Sequence, residues 1–228
     1  MIPWVMTITA VAVSGCAPQR AKTAPEPEFP PSVEVVVVAP VLNLSDRSDW
    51  DELRVTDWLA SELSGFHGAA VVPVNRTLAA LEVAGLRRVE SPEDARALAR
   101  LLGADATLVA AVTEFSPYEP VRIAWVMQWY ETDGVLPAER GGAALASEPG
   151  MGEPAVQVQR VFSAADEEVL EEVRDYADDR DGHGSPYDWR VYVKSQELFV
   201  RYSCWSAIQS MLTQRGGYRT QAPDHSAE

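Results

Sequence analysis

Cys204 stands between Ser203 and Trp205 in a helical stretch. A nucleophilic thiol needs a histidine or another cation to hold it as thiolate. Neither is local, so Cys204 reads as a small core residue. His67, His183 and His225 are far apart in the chain. His67, in Gly65-Phe66-His67-Gly68, has no nucleophile elbow and no zinc spacing around it, and no glycine-rich phosphate loop occurs anywhere. Asp179, Asp181, Gly182 and Asp188 fall at the third, fifth, sixth and twelfth positions of a twelve-residue calcium-binding loop. Its first position is Ala177, which has no ligand atom, so a solvated acidic turn is the expectation for 178–188 and no metal site is expected. Asn43, Ser45 and Asp46 lie just beyond a strand, where open α/β sheets gather ligands. They form a candidate loop site, although these residue types also build turns unaided. No nucleophile–base pair emerges, so no catalytic residue and no cofactor is expected, and an enzyme with a dispersed site ranks last among the functional readings.

The remaining reactive residue is Cys16. Met1 to Gly15 is apolar, uncharged apart from its amino terminus, too short to span a bilayer as a helix, and ends in small residues. Val13-Ser14-Gly15-Cys16 resembles the bacterial lipobox. The resemblance implies a signal peptide and lipobox over 1–16, with Cys16 lipidated as the mature first residue, and no disulfide to Cys204 is expected. Residues 17–32 carry Pro18, Pro25, Pro27, Pro30 and Pro31 and read as an extended tether that holds a domain off a membrane. By resemblance to proteobacterial lipoproteins, Ala17 in place of Asp favours the outer membrane, with the domain facing the periplasm. The net charge of −15 removes the electrostatic attraction that nucleic-acid binding needs.

The elements that carry these residues follow from periodicity. Residues 33–215 read as a single α/β domain and 216–228 as a flexible tail. A β-branched run predicts a strand over about 34–39 that ends at Pro40. A helix starting near Ser48-Asp49 shows Val55, Trp58, Leu59, Glu62 and Leu63 on one face. Residues 69–72 read as a short strand, and Asn75 as the cap of a short helix. Ser91-Pro92-Glu93-Asp94 starts another helix, with Ala95, Leu98, Ala99 and Leu102 inward. Ala106 to Val112 reads as a buried strand. Val121, Ile123, Trp125, Met127 and Trp129 alternate along a further strand, and 156–159 adds an edge strand. Val169, Val173 and Tyr176 mark the inner side of an acidic helix. A long helix is predicted over about 188–214. The sum is a mixed sheet of about five strands, parallel crossovers first and antiparallel strands after, with helices packed on it.

Three stretches together carry a wider resemblance: Val36 to Ser45, Val71-Val72-Pro73, and the helix, Gly-Ala-Asp, strand step from Ala95 to Val112. They are similar to the opening of an envelope-protein superfamily that includes the TolB amino-terminal domain, the curli secretion-pore lipoproteins (CsgG) and LpoB-like activators of peptidoglycan synthases. The resemblance covers roughly residues 33–130. It implies a mixed sheet with helices on one side and a role in assembling or regulating envelope machinery, and it supplies no catalytic residue.

The leading reading is therefore a non-catalytic, lipid-anchored envelope protein that binds another envelope protein or itself. A subunit of an oligomeric export pore, like the curli secretion lipoproteins, is the alternative. On the long helix, Val191, Leu198, Tyr202 and Trp205 project as an aromatic stripe apart from Val193, Val200, Cys204, Ala207 and Met211. The first set is the candidate interface, expected either to lie under the acidic helix or to face a partner.

Overall fold

The computed structural model describes residues 27–48, 50–132, 152–180 and 186–216. Cys16, the tether up to residue 26 and the centre of the acidic loop, 181–185, lie outside the described residues.

The chain runs β1 (Val35–Val38), β2 (Leu42–Asn43), α1 (Glu52–Leu63), β3 (Ala70–Val71), α2 (Val74–Ala84), α3 (Pro92–Leu102), β4 (Ala106–Ser116), β5 (Arg122–Glu131), β6 (Val156–Ser163), α4 (Glu167–Asp179), α5 (Arg190–Lys194) and α6 (Gln196–Arg215). One mixed sheet has the order β3-β1-β4-β5-β6, with β2 also paired to β4. β1 is parallel to β3 and β4, whereas β5 and β6 are antiparallel to their neighbours. This is the mixed architecture predicted from the sequence.

Pro40 interrupts the first strand without ending it. β1 pairs with Ala106 to Leu108 of β4, and β2 resumes parallel pairing at Ala111 and Val112, with the register shifted by one residue across Pro40. A proline has no N–H for the ladder. The gap is closed instead by Thr56 Oγ1, which accepts from Val41 N–H at 2.9 Å.

β1 alternates between two cores. Val36 and Val38 face α1 and α6, among Leu59, Leu63, Leu108, Trp125, Met127 and Phe199. Val37 and Ala39 face α2 and α3, among Ala80, Leu81, Ala95, Leu98 and Ala99. Helices therefore cover both faces, which corrects the one-sided arrangement implied by the resemblance. The physical reason is that the parallel strands are apolar on both faces and need cover on each.

The alternation along β5 is fully used. Val121, Ile123, Trp125, Met127 and Trp129 are all buried on the α6 side. Each such large apolar side chain contributes about 1.5–3 kcal/mol on burial. Trp125 also donates its indole N–H to Ser203 Oγ at 2.8 Å, which fastens β5 to α6.

Local signals set the helix ends, with three corrections. Ser91 and Asp94 form the reciprocal capping box, with Pro92 in the first turn. α1 is capped by Asp51, whose carboxylate accepts from Arg54 N–H, so the helix begins at Glu52, later than the start expected near Ser48-Asp49. α2 begins after Pro73, so Asn75 lies inside the helix instead of capping it. The long helix divides at Ser195, which is extended at φ −96° and ψ 118° and accepts from Leu198 N–H as the cap of α6. Serine favours a cap over a helix interior because its hydroxyl competes for local backbone groups. Val191 and Val193 therefore sit on α5, out of phase with the residues of α6.

Gly103 takes the left-handed conformation at φ 66° that ends α3. Two residues later, Asp105 Oδ2 accepts the N–H groups of Glu34 and Val35 at 2.8 and 2.9 Å. The Gly-Ala-Asp step thus both turns the chain and holds the start of β1.

Candidate functional site

Asn43, Ser45 and Asp46 come together at the end of β2, and their hydrogen bonds are local. Asn43 Oδ1 accepts from Ser45 N–H at 3.1 Å and from Ser45 Oγ at 2.7 Å. Asn43 Nδ2 donates to the Arg47 carbonyl at 2.6 Å. Asp46 is exposed. The polar atoms of Asn43 and Ser45 are engaged in shaping the turn, as side-chain-to-backbone turns require.

The aromatic stripe lies largely under the acidic helix, the first of its two expected placements. Tyr202 is fully buried, with its ring edge-on to Tyr176 of α4 and to Phe162 of β6. Its hydroxyl donates to Glu172 Oε2 at 2.8 Å. Trp205 is half-buried against Tyr176 at 5.2 Å between ring centroids. Val191 and Leu198 are half-buried at the rim of the same core. Tyr202 is covered by α4, so the surface left for contact by this group belongs to Val191, Leu198 and Trp205.

Two ionic groups, one buried at Glu62 and one half-buried at Glu172, hold α4 in place. Glu62 of α1, 4% exposed, accepts from Arg180 at 3.2 Å and from Arg201 Nε of α6 at 2.9 Å. Glu172 of α4 pairs with Arg160 of β6 and accepts from Ser206 Oγ of α6 at 2.8 Å. A buried carboxylate is tolerable only when its lone pairs are satisfied in this way. Burial, the charge of Glu62 and a hydrogen bond to it push the Tyr176 hydroxyl well above the usual tyrosine range, against the nearby Arg180. Burial and the hydrogen bond to Glu172 do the same for Tyr202. Burial, followed by the charge of Glu62, pushes the Cys204 thiol up, so it is a neutral thiol at physiological pH and unsuited to nucleophilic attack. Among the described residues no group of three or more His, Cys, Asp or Glu side chains is placed to hold a metal.

Another surface concentrates the residue types that bind proteins. A cleft of about 190 Å³ opens where the first turns of α1 and α6 meet, lined by Trp50, Asp51, Arg54, Trp58, Gln196 and Val200 among others. That is smaller than the roughly 300–1,000 Å³ of a typical small-molecule pocket. Trp50 stacks on Phe115 at 5.6 Å. Its indole nitrogen is buried and, among the described residues, has no acceptor. Arg54 lies 5.1 Å over the Trp58 ring and pairs with Glu197 of α6 at 3.0 Å. Sequence reasoning did not single out this seam. Its signal is the spacing of Trp50, Arg54 and Trp58, which puts two tryptophans and an arginine on one side of a helix and the turn before it.

No protein-family model matches the chain, and no curated protein matches it. Among solved structures, it is similar to the LpoB C-terminal domain from Escherichia coli, with 17% identity and a TM-score of 0.42 over 58% of this chain and 84% of that one. It is also similar to the lipoprotein GNA1162 from Neisseria meningitidis, with 18% identity and a TM-score of 0.38 over 57% and 79%. PelC from Paraburkholderia phytofirmans, a dodecamer, matches with 13% identity and a TM-score of 0.42 over 86% and 96%. At TM-scores below 0.5, these likenesses determine neither fold nor function for this chain.

Proposed function

We propose that this chain is a lipid-anchored protein of the bacterial cell envelope. It works by binding another envelope protein with its α/β domain rather than by catalysis. Cys16 carries the lipid, and the domain faces the periplasm from the outer membrane. The tether is the stretch up to residue 26 rather than all of 17–32, because Phe29 already packs in the domain core beside Trp129. The observation that carries the binding reading is the Trp50–Arg54–Trp58 seam. Tryptophan and arginine dominate the energetics of protein interfaces, and here two tryptophans and an arginine line one cleft. The half-buried Val191, Leu198 and Trp205 extend the apolar surface of α5 and α6. The Cys204 thiol is neutral, and Glu62 and Glu172 are engaged in internal ion pairs, so none of the three is poised for chemistry.

The test is Arg54→Glu combined with Trp58→Ala in the full-length lipoprotein, purified in detergent. Loss of the co-purifying envelope protein, with the melting temperature kept within a few degrees, is the expected result. Undiminished co-purification would remove the seam as the binding surface, and a substrate turned over by the purified domain would remove the non-catalytic reading.

A further inference from the structure

β6 is the last strand of the sheet, and among the described residues no strand pairs with its outer edge. The β5–β6 register determines which backbone groups face outward. Ala164 N–H donates to the Val121 carbonyl at 2.9 Å, one step beyond the Arg122–Ser163 pair. Hydrogen-bonded pairs alternate along an antiparallel ladder. Val156, Val158, Arg160 and Phe162 therefore turn their N–H and C=O groups toward β5. Gln157, Gln159, Val161 and Ser163 turn theirs outward. The side chains of Gln157, Gln159 and Val161 are exposed on the face away from α6, Val161 at 51%.

Edge strands in monomeric proteins are commonly blunted by proline, an outward lysine, a bulge or a short length. β6 shows none of these. It has eight residues, contains no proline and runs in unbroken register with β5 from Val156 to Ser163. The one irregularity lies at its start, where Ala155 N–H also reaches the Trp129 carbonyl, whereas the β4–β5 pairing shifts within the strands between Val112 and Glu114. Its one charged side chain, Arg160, is directed into the α4–α6 layer, onto Glu172 and Ser206.

We propose that β6 pairs antiparallel with β6 of a second copy, about a two-fold axis at Gln159, so that two sheets join into one. Charge restricts where a second copy can dock. Two chains of net charge −15 repel each other over most of their surfaces, and the outward residues of β6 form an uncharged lane along which they can approach. The strand is also self-complementary in this register. Gln159 meets Gln159, Gln157 meets Val161, each is a hydrogen-bonded pair, and no like charges stand opposite. A closed two-fold contact satisfies both edges at once. The axis is perpendicular to the sheet, so both α4 helices lie on the same side of the joined sheet. Their acids, Glu167, Glu168, Glu171 and Asp175 among them, oppose the pairing, and it tightens as salt screens them. This deepens the protein-binding reading and rests on it only in that the domain works through protein contacts.

The test uses the full-length chain in membranes, with single cysteines and a short thiol-to-thiol reagent; the parent chain is the control for Cys16 and the buried Cys204. Gln159→Cys places two thiols on residues whose Cβ atoms are about 5.5 Å apart across the axis and should give a covalent dimer. Gln157→Cys alone lies about 14 Å from its own copy and should not. Mixed with Val161→Cys, it should. Adding Val161→Lys to Gln159→Cys should cut the dimer several-fold, and raising the salt should increase it. Equal cross-linking at 157 and 159, a monomer with no cross-link, or an adduct to a different protein at 159 would each overturn the proposal. Those results leave the Trp58 seam standing, and loss of binding at the seam leaves the β6 cross-link intact.

Discussion

At the scale of single residues, the acids and tyrosines between α1, α4, α6 and β6 do structural work. Tyr176 and Tyr202 hold their protons to higher pH in the folded state than in the unfolded chain, chiefly because burial disfavours the phenolate. The stability they contribute is complete below the unfolded tyrosine pKa of about 10. Above that value the unfolded chain releases its protons first, so this contribution declines as pH rises toward the folded-state values. The melting temperature should show no loss from this source between pH 7 and 9, then fall above about pH 10. Tyr202→Phe should make that fall shallower, which thermal unfolding monitored by circular dichroism at a series of pH values would show. An equally steep fall in the variant would mean that other groups govern the alkaline limb. The same scale shows why the spacing of the acidic loop was read as a solvated turn and not as a metal site. Charges at suggestive intervals need ligand geometry as well, and Ala177, at the first position, is a buried residue of α4.

At the scale of elements, the strands and the first helices were legible because their signals are local. Ser91-Pro92 with Asp94, the β-branched run of β1 and the period-two pattern of β5 each dictate one conformation within a few residues. The break at Ser195 was hidden because apolar residues continue on both sides of it, and only a hydroxyl competing for a backbone N–H marks the boundary. The burial of Tyr202 was hidden for a different reason. Whether an apolar stripe meets solvent or α4 depends on contacts between residues far apart in sequence, such as Arg180 with Glu62 and Tyr202 with Glu172. Tyr202→Ala removes a ring packed against Tyr176, Phe162 and Phe199 and should destabilise the domain by about 3–5 kcal/mol. Urea unfolding measures this directly. A loss under about 1 kcal/mol, the range of a surface substitution, would contradict the packing described.

At the scale of the whole molecule, the fold puts its two cores on opposite faces of one sheet and leaves two kinds of surface for other molecules. One is the aromatic and cationic seam of α1 and α6, and the other is the uncharged edge of β6. The seam was only partly legible in the sequence. Trp58 was visible on the inner face of α1, but Gln196 and Glu197 reach it only because α6 packs along α1. Membrane attachment belongs to this scale too. Cys16→Ser should move the protein from the membrane to the soluble fraction. Its continued presence in washed membranes would show that attachment does not depend on a lipid at that residue.

A photo-cross-linking amino acid placed at Trp58 in the living cell, compared with the same group at Val83, tests the binding reading most directly. Val83 is 80% exposed on α2, on the other face of the sheet, and serves as the surface control. A discrete adduct between this chain and a second envelope protein from position 58, with none from position 83, is the predicted result. No adduct at position 58, or the same adducts from both positions, would contradict a protein-binding role for this surface.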